Sequence, residues 1–256
     1  MTLHLQQAAN RRMRRAVVVL VALVLALVAA LVVIAVTGDD DSGKGTAPAP
    51  GPSSAAPAPQ PTATVPDDDS GYVAPDRTVK LPDGRSKTAE GLRIGFPRTP
   101  EGGAAMAVAS SRNAWSLDAA TIRAGILAYA AAQYRTSMAA AAEAGAKGNR
   151  QFAGIPDTGP VPDGATLTAW PIGVQWKAVD SNTVDVLVLL RVTHAPKAGA
   201  ATTTKLIVSP GRAVWEDGDW KGAATDPSAG IPDPVDVGTA AFNDHGWTSI
   251  QEGDRL

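Results

Sequence analysis

Cysteine is missing from all 256 residues. Disulfide staples, thiolate nucleophiles, Cys-ligated zinc and a Cys-linked lipid anchor are excluded together. Rings are scarce and unevenly spread: three Phe, three Tyr and six Trp, none before Tyr72, with every Trp between Trp115 and Trp247. A globular core without a ring is uncommon, so the folded part is expected to begin near residue 90 and to form one domain. Histidine is sparse too, at His4, His194 and His245 only. Charge of either sign is nearly balanced, −2 overall; over residues 72–256, 18 basic residues less 19 acidic ones leave −1. Such a balance gives no field for gathering polyanions, and nucleic acid is not expected as a partner.

What the chain does have is oil in one place. Residues 16–36 are twenty-one consecutive residues drawn only from Ala, Val, Leu and Ile. As a helix they span about 31 Å, against roughly 30 Å for a bilayer's hydrocarbon core. Nine Val, five Leu and one Ile contribute roughly −5 to −9 kcal/mol on an insertion scale. A buried core helix is usually shorter and keeps a polar face. Arg11, Arg12, Arg14 and Arg15 precede the run, and Asp39, Asp40 and Asp41 follow it. The positive-inside rule keeps the arginine tail, residues 1–15, in the cytoplasm and sends the rest across. A cleaved signal peptide has an apolar region of about 7 to 15 residues and an A-x-A-like exit. This run is longer, and its exit reads Ile34-Ala35-Val36-Thr37-Gly38. An uncleaved single-pass anchor in the cell membrane is therefore expected, with the lipid bilayer as a partner.

Residues 37–90 read as a spacer. Up to residue 75 they are mostly Pro, Ala, Gly, Ser, Thr and Asp, with Val65, Tyr72 and Val73 the larger apolar side chains. That composition cannot bury enough apolar surface to offset chain entropy, so disorder is expected. Its Pro-Ala part, residues 47–61, favours an extended, semi-rigid form, and residues 37 to about 75 fully stretched reach at most about 125 Å. Asp-Asp-Asp-Ser-Gly occurs twice, at residues 39–43 and 67–71. Neither copy has the glycine and distal glutamate of a calcium loop, so both read as solvated acidic linker. Gly38, Gly43 and Lys44 approach a phosphate-binding loop, but Gly45 stands where Ser or Thr is needed and three carboxylates would repel phosphate.

Residues 91–222 carry the folded pattern. Thr99, Pro100 and Glu101 make a helix start, and the small residues 102–109 permit close approach to a sheet. A second helix is expected from Ser116 or Asp118, with Ile122, Ile126 and Tyr129 on one face. An Ala-rich third helix is expected over residues 137–146, stopping at Gly148. The period then falls to two. Trp170, Ile172, Val174, Trp176 and Ala178 alternate, and Pro171 hints at an edge or bulge. After a turn at Asp180-Ser181-Asn182, Val184, Val186, Val188, Leu190 and Val192 share one face. Asp185, Leu187, Leu189, Arg191 and Thr193 share the other. A strand over 202–208, a turn at Pro210-Gly211 and a tight hairpin at Asp217-Gly218 complete the pattern. Helices first and an antiparallel sheet second is an α+β arrangement. Residues 223–256 are rich in Pro and Gly and read as an irregular surface tail.

Helices, long strands and the closing Trp215-Glu216-Asp217-Gly218-Asp219-Trp220 hairpin resemble the nuclear-transport-factor-like, or cystatin-like, cone. The resemblance implies a curved antiparallel sheet wrapped around amino-terminal helices. The layout of basic tail, membrane helix, Pro-rich spacer and outside cone is similar to assembly subunits of conjugation and type IV secretion channels. It is also similar to membrane proteins associated with lipid-import systems. Residues 95–104 resemble the start of extracytoplasmic domains from mobile elements of Gram-positive bacteria. That fold hosts enzymes and scaffolds alike.

No catalytic, cofactor-binding or metal-binding residue is assigned. Enzymes with the cone place a His and an Asp in its cavity, whereas His194 reads as a strand-end residue, His245 as a tail residue and His4 as cytoplasmic. Asp185 and Arg191 lie about 20 Å apart along a strand and cannot form an acid–base pair. Hydrolase, Ser-x-x-Lys and His-Glu-x-x-His patterns are missing from the sequence. Trp170 and Trp176 read as core, and Trp215 and Trp220 as packing at the cone mouth or, if exposed, as a binding platform. With Leu187 and Leu189 opposing Val186 and Val188, the second sheet face needs cover from a partner subunit or from loops, and a self-association surface is expected there. The expected function is a scaffold or assembly component of a bacterial transport or conjugation complex, partnered by other membrane-complex proteins or by itself. The alternative is an envelope module that senses wall polymer or a small ligand. Neither a cofactor nor a small-molecule substrate is identified.

Overall fold

The computed structural model describes residues 71–225 and 230–251. The arginine tail, the apolar run and the spacer up to residue 70 lie outside the described residues, as does His4. Among the described residues no helix is long and apolar enough to cross a membrane.

The order is β1 (Thr78–Val79), β2 (Ser86–Lys87), β3 (Arg93–Ile94), α1 (Pro100–Ala114), α2 (Ala119–Tyr129), α3 (Ala132–Ala140) and α4 (Ala142–Phe152). Then come β4 (Thr166–Asp180), β5 (Thr183–Ala195), β6 (Thr203–Glu216), β7 (Asp219–Ala223), α5 (Ala240–Asp244) and β8 (Thr248–Ile250). The fold is α+β. Six strands form a mixed sheet in the order β1-β8-β4-β5-β6-β7, and β2 and β3 make a separate ribbon. Only the β1–β8 pair in the sheet is parallel.

α1 begins as its sequence requires: Thr99 is extended and accepts from the Gly102 amide at 3.1 Å, with Pro100 in the first turn. Its small residues let the helix settle on the sheet. A Cβ at Gly103 would stand 3.3 Å from Val184 and Ala213. The β5 residues Val184, Val186, Val188, Leu190 and Val192 all face this core, together with Met106, Phe96 and Trp220. At the far hairpin Asp217 and Gly218 both have positive φ, 53° and 80°, the signature of a tight two-residue turn. Just beyond it, buried Asp219 accepts from the Phe96 amide (2.9 Å), the Trp220 amide (2.9 Å) and Lys221 Nζ (3.0 Å). Trp220 Nε1 donates to the Pro97 carbonyl at 2.8 Å. This clasp locks the entrance of α1 to β7.

Several expectations fail, each for a reason of packing. The third helix is two helices that meet at Ala141, and α4 runs through Gly148 to Phe152. An interior glycine costs about 1 kcal/mol, offset here because Ala142 and Ala146 pack on Ile122. The helix ends where Gly154 takes φ +70°. Pro210-Gly211 is no turn: β6 passes straight through, pairing Pro210 with Leu187 and Gly211 with Val186. β7 joins β6 only from Arg212 onward, so the outer side at Pro210 is a sheet edge that tolerates a missing N–H.

The spacer expected to reach residue 90 gives way to ordered chain within the described part. Val73 N donates to the Gly238 carbonyl at 2.8 Å, Ser249 N to the Arg77 carbonyl at 2.9 Å, and Val79 and Leu81 pack on the core. These partners sit about 170 residues downstream, beyond the reach of local composition. The tail is likewise not irregular surface. Phe242 and Trp247 are fully buried, and with Val235 and Val237 they cover Leu189, Val208, Leu187 and Ile172 on the second sheet face. The face read as a self-association surface is therefore closed by the chain itself.

Pro171 marks a bulge, as anticipated: the β4–β5 register shifts between Pro171 and Gly173. Its consequence was not anticipated. One extra residue inverts the alternation. Leu167 and Ala169 face the helix-side core before the bulge, and Val174 and Trp176 after it. Trp170, read as core, is 46% exposed instead.

Candidate recognition groove

The groove is built where α1 ends. Trp115 breaks the helix at φ −91°, ψ 70°, and Asp118 starts α2 by accepting from the Ala120 and Thr121 amides at 3.0 and 3.3 Å. The Ala120 amide bond is the main reason the Asp118 carboxyl ionises below its ordinary range, followed by the Thr121 hydroxyl bond. α4 holds this corner from behind. Asn149 Nδ2 donates to the Ala114 and Ser116 carbonyls, both at 2.8 Å, and Arg150 Nε to the Leu117 carbonyl at 3.0 Å. Carbonyls freed at the end of α1 are thereby satisfied. Gly125 lets the helices meet: a Cβ there would stand 1.7 Å from the Asn113 amide nitrogen.

In front of that corner lies a cleft of about 390 Å³ between β3 and α1, walled by Arg93, Arg112, Asn113, Trp115, Thr121 and Tyr129. A second recess of about 230 Å³ runs from Arg112 and Trp115 to residues 167–170 of β4. Arg112 and Trp115 wall both, so the two form one groove. The Arg112 guanidinium stands 5.3 Å from the centre of the Trp170 ring. Behind Trp115 an aromatic row continues edge-to-face through Phe152 to His194, with centroid spacings of 5.1 Å. Among the described residues neither Arg93 nor Arg112 forms an ion pair.

Two guanidiniums, a carboxamide, hydroxyls and indole rings suit the holding of an acidic or planar group by hydrogen bonds and stacking. Burial, with a further push from the Asp219 carboxylate, raises the Tyr129 hydroxyl to about 12, so it stays protonated at neutral pH. Among the described residues no cluster of three His, Asp or Glu side chains could hold a metal ion.

The residues weighed in the sequence fall elsewhere. His194 is at the end of β5 against Phe152. His245 closes α5, its Nδ1 3.2 Å from the Asp233 carbonyl. Asp185 and Arg191 take separate partners: Arg212 bridges both Asp185 oxygens at 2.6 and 2.9 Å, and Arg191 pairs with Asp236. Trp220 is core, and half-buried Trp215 packs edge-to-face on it at 5.4 Å beneath Arg98. Sequence reasoning missed Arg93, Arg112 and Trp115: Arg112 and Trp115 stand one helical turn apart, a signal that could have paired them, but nothing local brings Arg93 to them. Compared with known families, curated proteins and solved structures, the chain has no significant match in any of the three.

Proposed function

We propose that the chain is a single-pass membrane protein whose α+β domain lies outside the membrane and docks other components of a transport or conjugation complex. In this reading the arginine tail stays cytoplasmic, residues 16–36 anchor the chain, and the domain adopts the cone arrangement, its helices cupped by a bent sheet. Bulges at Pro171/Gly173 and Ala178/Asp180 in the longest strand favour such bending. The observation that carries the reading is the nature of the groove: open, rimmed by an exposed indole and by two guanidiniums that form no ion pair among the described residues, it offers recognition rather than an enclosed reaction chamber. Protease added to intact spheroplasts should remove the Trp-bearing region and spare the arginine tail. Survival of that region, with lysis making it sensitive, would place it in the cytosol and end the proposal.

The second reading is an envelope module that binds wall polymer or a small ligand. It is favoured by Arg93 and Arg112 lining one cleft, where an anionic group could meet both guanidiniums. Copurification of channel proteins or membrane ATPases with the tagged chain supports assembly. Retention on purified wall fragments, lost in Arg112→Glu, supports the sensor.

A further inference from the structure

We propose that the outer margin of β4, residues 166–171, takes up an extended acidic peptide from a partner protein as an added strand. β4 pairs with β5 along its length, but β8 covers its other side only at Gly173 and Val174. Among the described residues, no backbone hydrogen bond reaches residues 166–170 from that outer side. Thr166, Thr168 and Trp170 are exposed.

Sheet margins left in water are ordinarily blunted by lysine, proline or a bulge. Here Pro171 and the bulge stand at the inner end, beside the β8 pairing. The remaining run, Thr166-Leu167-Thr168-Ala169-Trp170, has no charge and no proline. Its β-branched and aromatic content favours pairing. A guest strand would complete the ladder with its own N–H and C=O groups, while alternate side chains select the sequence.

Charge complementarity names the guest. Arg112 lies over Trp170 and Arg93 lines the adjoining cleft, and among the described residues neither has a carboxylate partner. An acidic side chain beside the indole would meet the Arg112 guanidinium, and an apolar one would enter the 230 Å³ recess. The inference deepens the assembly reading by giving the partner's chemistry. Protease accessibility tests that reading separately, so a failed peptide titration leaves it standing.

The test is fluorescence polarisation with the full chain in detergent micelles and a labelled eight-residue peptide of alternating Glu and Val. Saturable binding is expected. Arg112→Glu should weaken it about tenfold or more. A Lys-Val peptide and a Glu-Val peptide methylated on its backbone nitrogens should both fail to bind. Equal binding of the methylated peptide would show that the strand margin is not used, and equal binding of the Lys-Val peptide that charge is not read. Either result overturns the proposal. So does a self-paired chain, seen by sedimentation, that refuses the peptide and is separated by Trp170→Lys.

Discussion

Phe242→Ala removes a ring that seals the second sheet face. Phe242 is 0% exposed and packs with Leu189, Val208 and Trp247. On the sheet side it sits so close that a Cβ at Gly173 would stand 3.0 Å from the ring. No neighbour is placed to refill the space cheaply, because the ring bridges a strand and a short helix. Truncating a ring in such a site costs about 3–5 kcal/mol, out of a total stability of roughly 5–15 kcal/mol. For a domain of this size that lowers Tm by about 6–20 °C. The assay is urea or thermal unfolding of the full chain in micelles, followed by indole fluorescence. Every Trp lies at or beyond residue 115, so the signal reports the domain alone. Thr239→Ala supplies a scale: it removes the capping hydroxyl, which accepts from the Phe242 amide at 3.3 Å and donates to the Asp236 carbonyl at 2.8 Å, with one methyl, a change worth about 1 kcal/mol. If Phe242→Ala cost no more than Thr239→Ala, the tail would not be core, and the sheet face would be open to a partner after all.

Asp219→Ala should cost about 3 kcal/mol, because it leaves the Phe96 amide without its acceptor and the part-buried Lys221 ammonium with only the Ala128 carbonyl; Asp219→Asn, which keeps an acceptor, should lose less in the same melts. Tyr129 ionises at about 12 rather than 10.0, burial being the main cause and the Asp219 charge the second. A raised acid pKa means stability is whole below pH 10 and drains as pH rises toward 12, by an amount on the order of 2–3 kcal/mol. Absorbance titration should show a step near pH 12 that Tyr129→Phe removes; loss of a step centred near pH 10 instead would refute it. His194 runs the other way: burial lowers its pKa from 6.5, the nearby Lys205 charge adds to this, and the Ala153 backbone opposes it. Its contribution is present above pH 6.5 and lost as pH falls through the lowered value. His194→Phe should therefore flatten the acid side of the stability profile, and an NMR midpoint at or above 6.5 would sink the argument.

Local chemistry was legible in the sequence wherever a few neighbouring residues decide the outcome. Thr99-Pro100 and Asp118 mark helix starts because their side chains cap amides two or three residues away. The Val184–Val192 alternation places five side chains in the core because a strand has period two. Asp217-Gly218 is a turn because both residues tolerate positive φ. Pro171 announces a bulge for its missing N–H. The bulge then inverts the alternation, and the same reasoning that placed Val174 correctly put Trp170 on the wrong side.

What was not legible depends on partners far along the chain. Residues 71–90 look like spacer until Asn243 is seen holding them: its Oδ1 accepts from the Asp76 amide at 3.0 Å and its Nδ2 donates to the Ala74 carbonyl at 2.9 Å. The tail looks irregular because two rings, Phe242 and Trp247, carry its burial while Pro and Gly dominate its composition. These two misjudged segments are the ones that pair with each other, β1 alongside β8. Each lacks a fold by itself, and composition averages them to coil. Together they build the sheet's far margin, and the carboxyl-terminal one closes its second face. Closing that face changes the functional argument, because an apolar sheet surface no longer calls for a second copy. On the proposed reading, recognition then falls to the outer margin of β4 at residues 166–171, which β8 does not reach, and to Arg93 and Arg112 beside it.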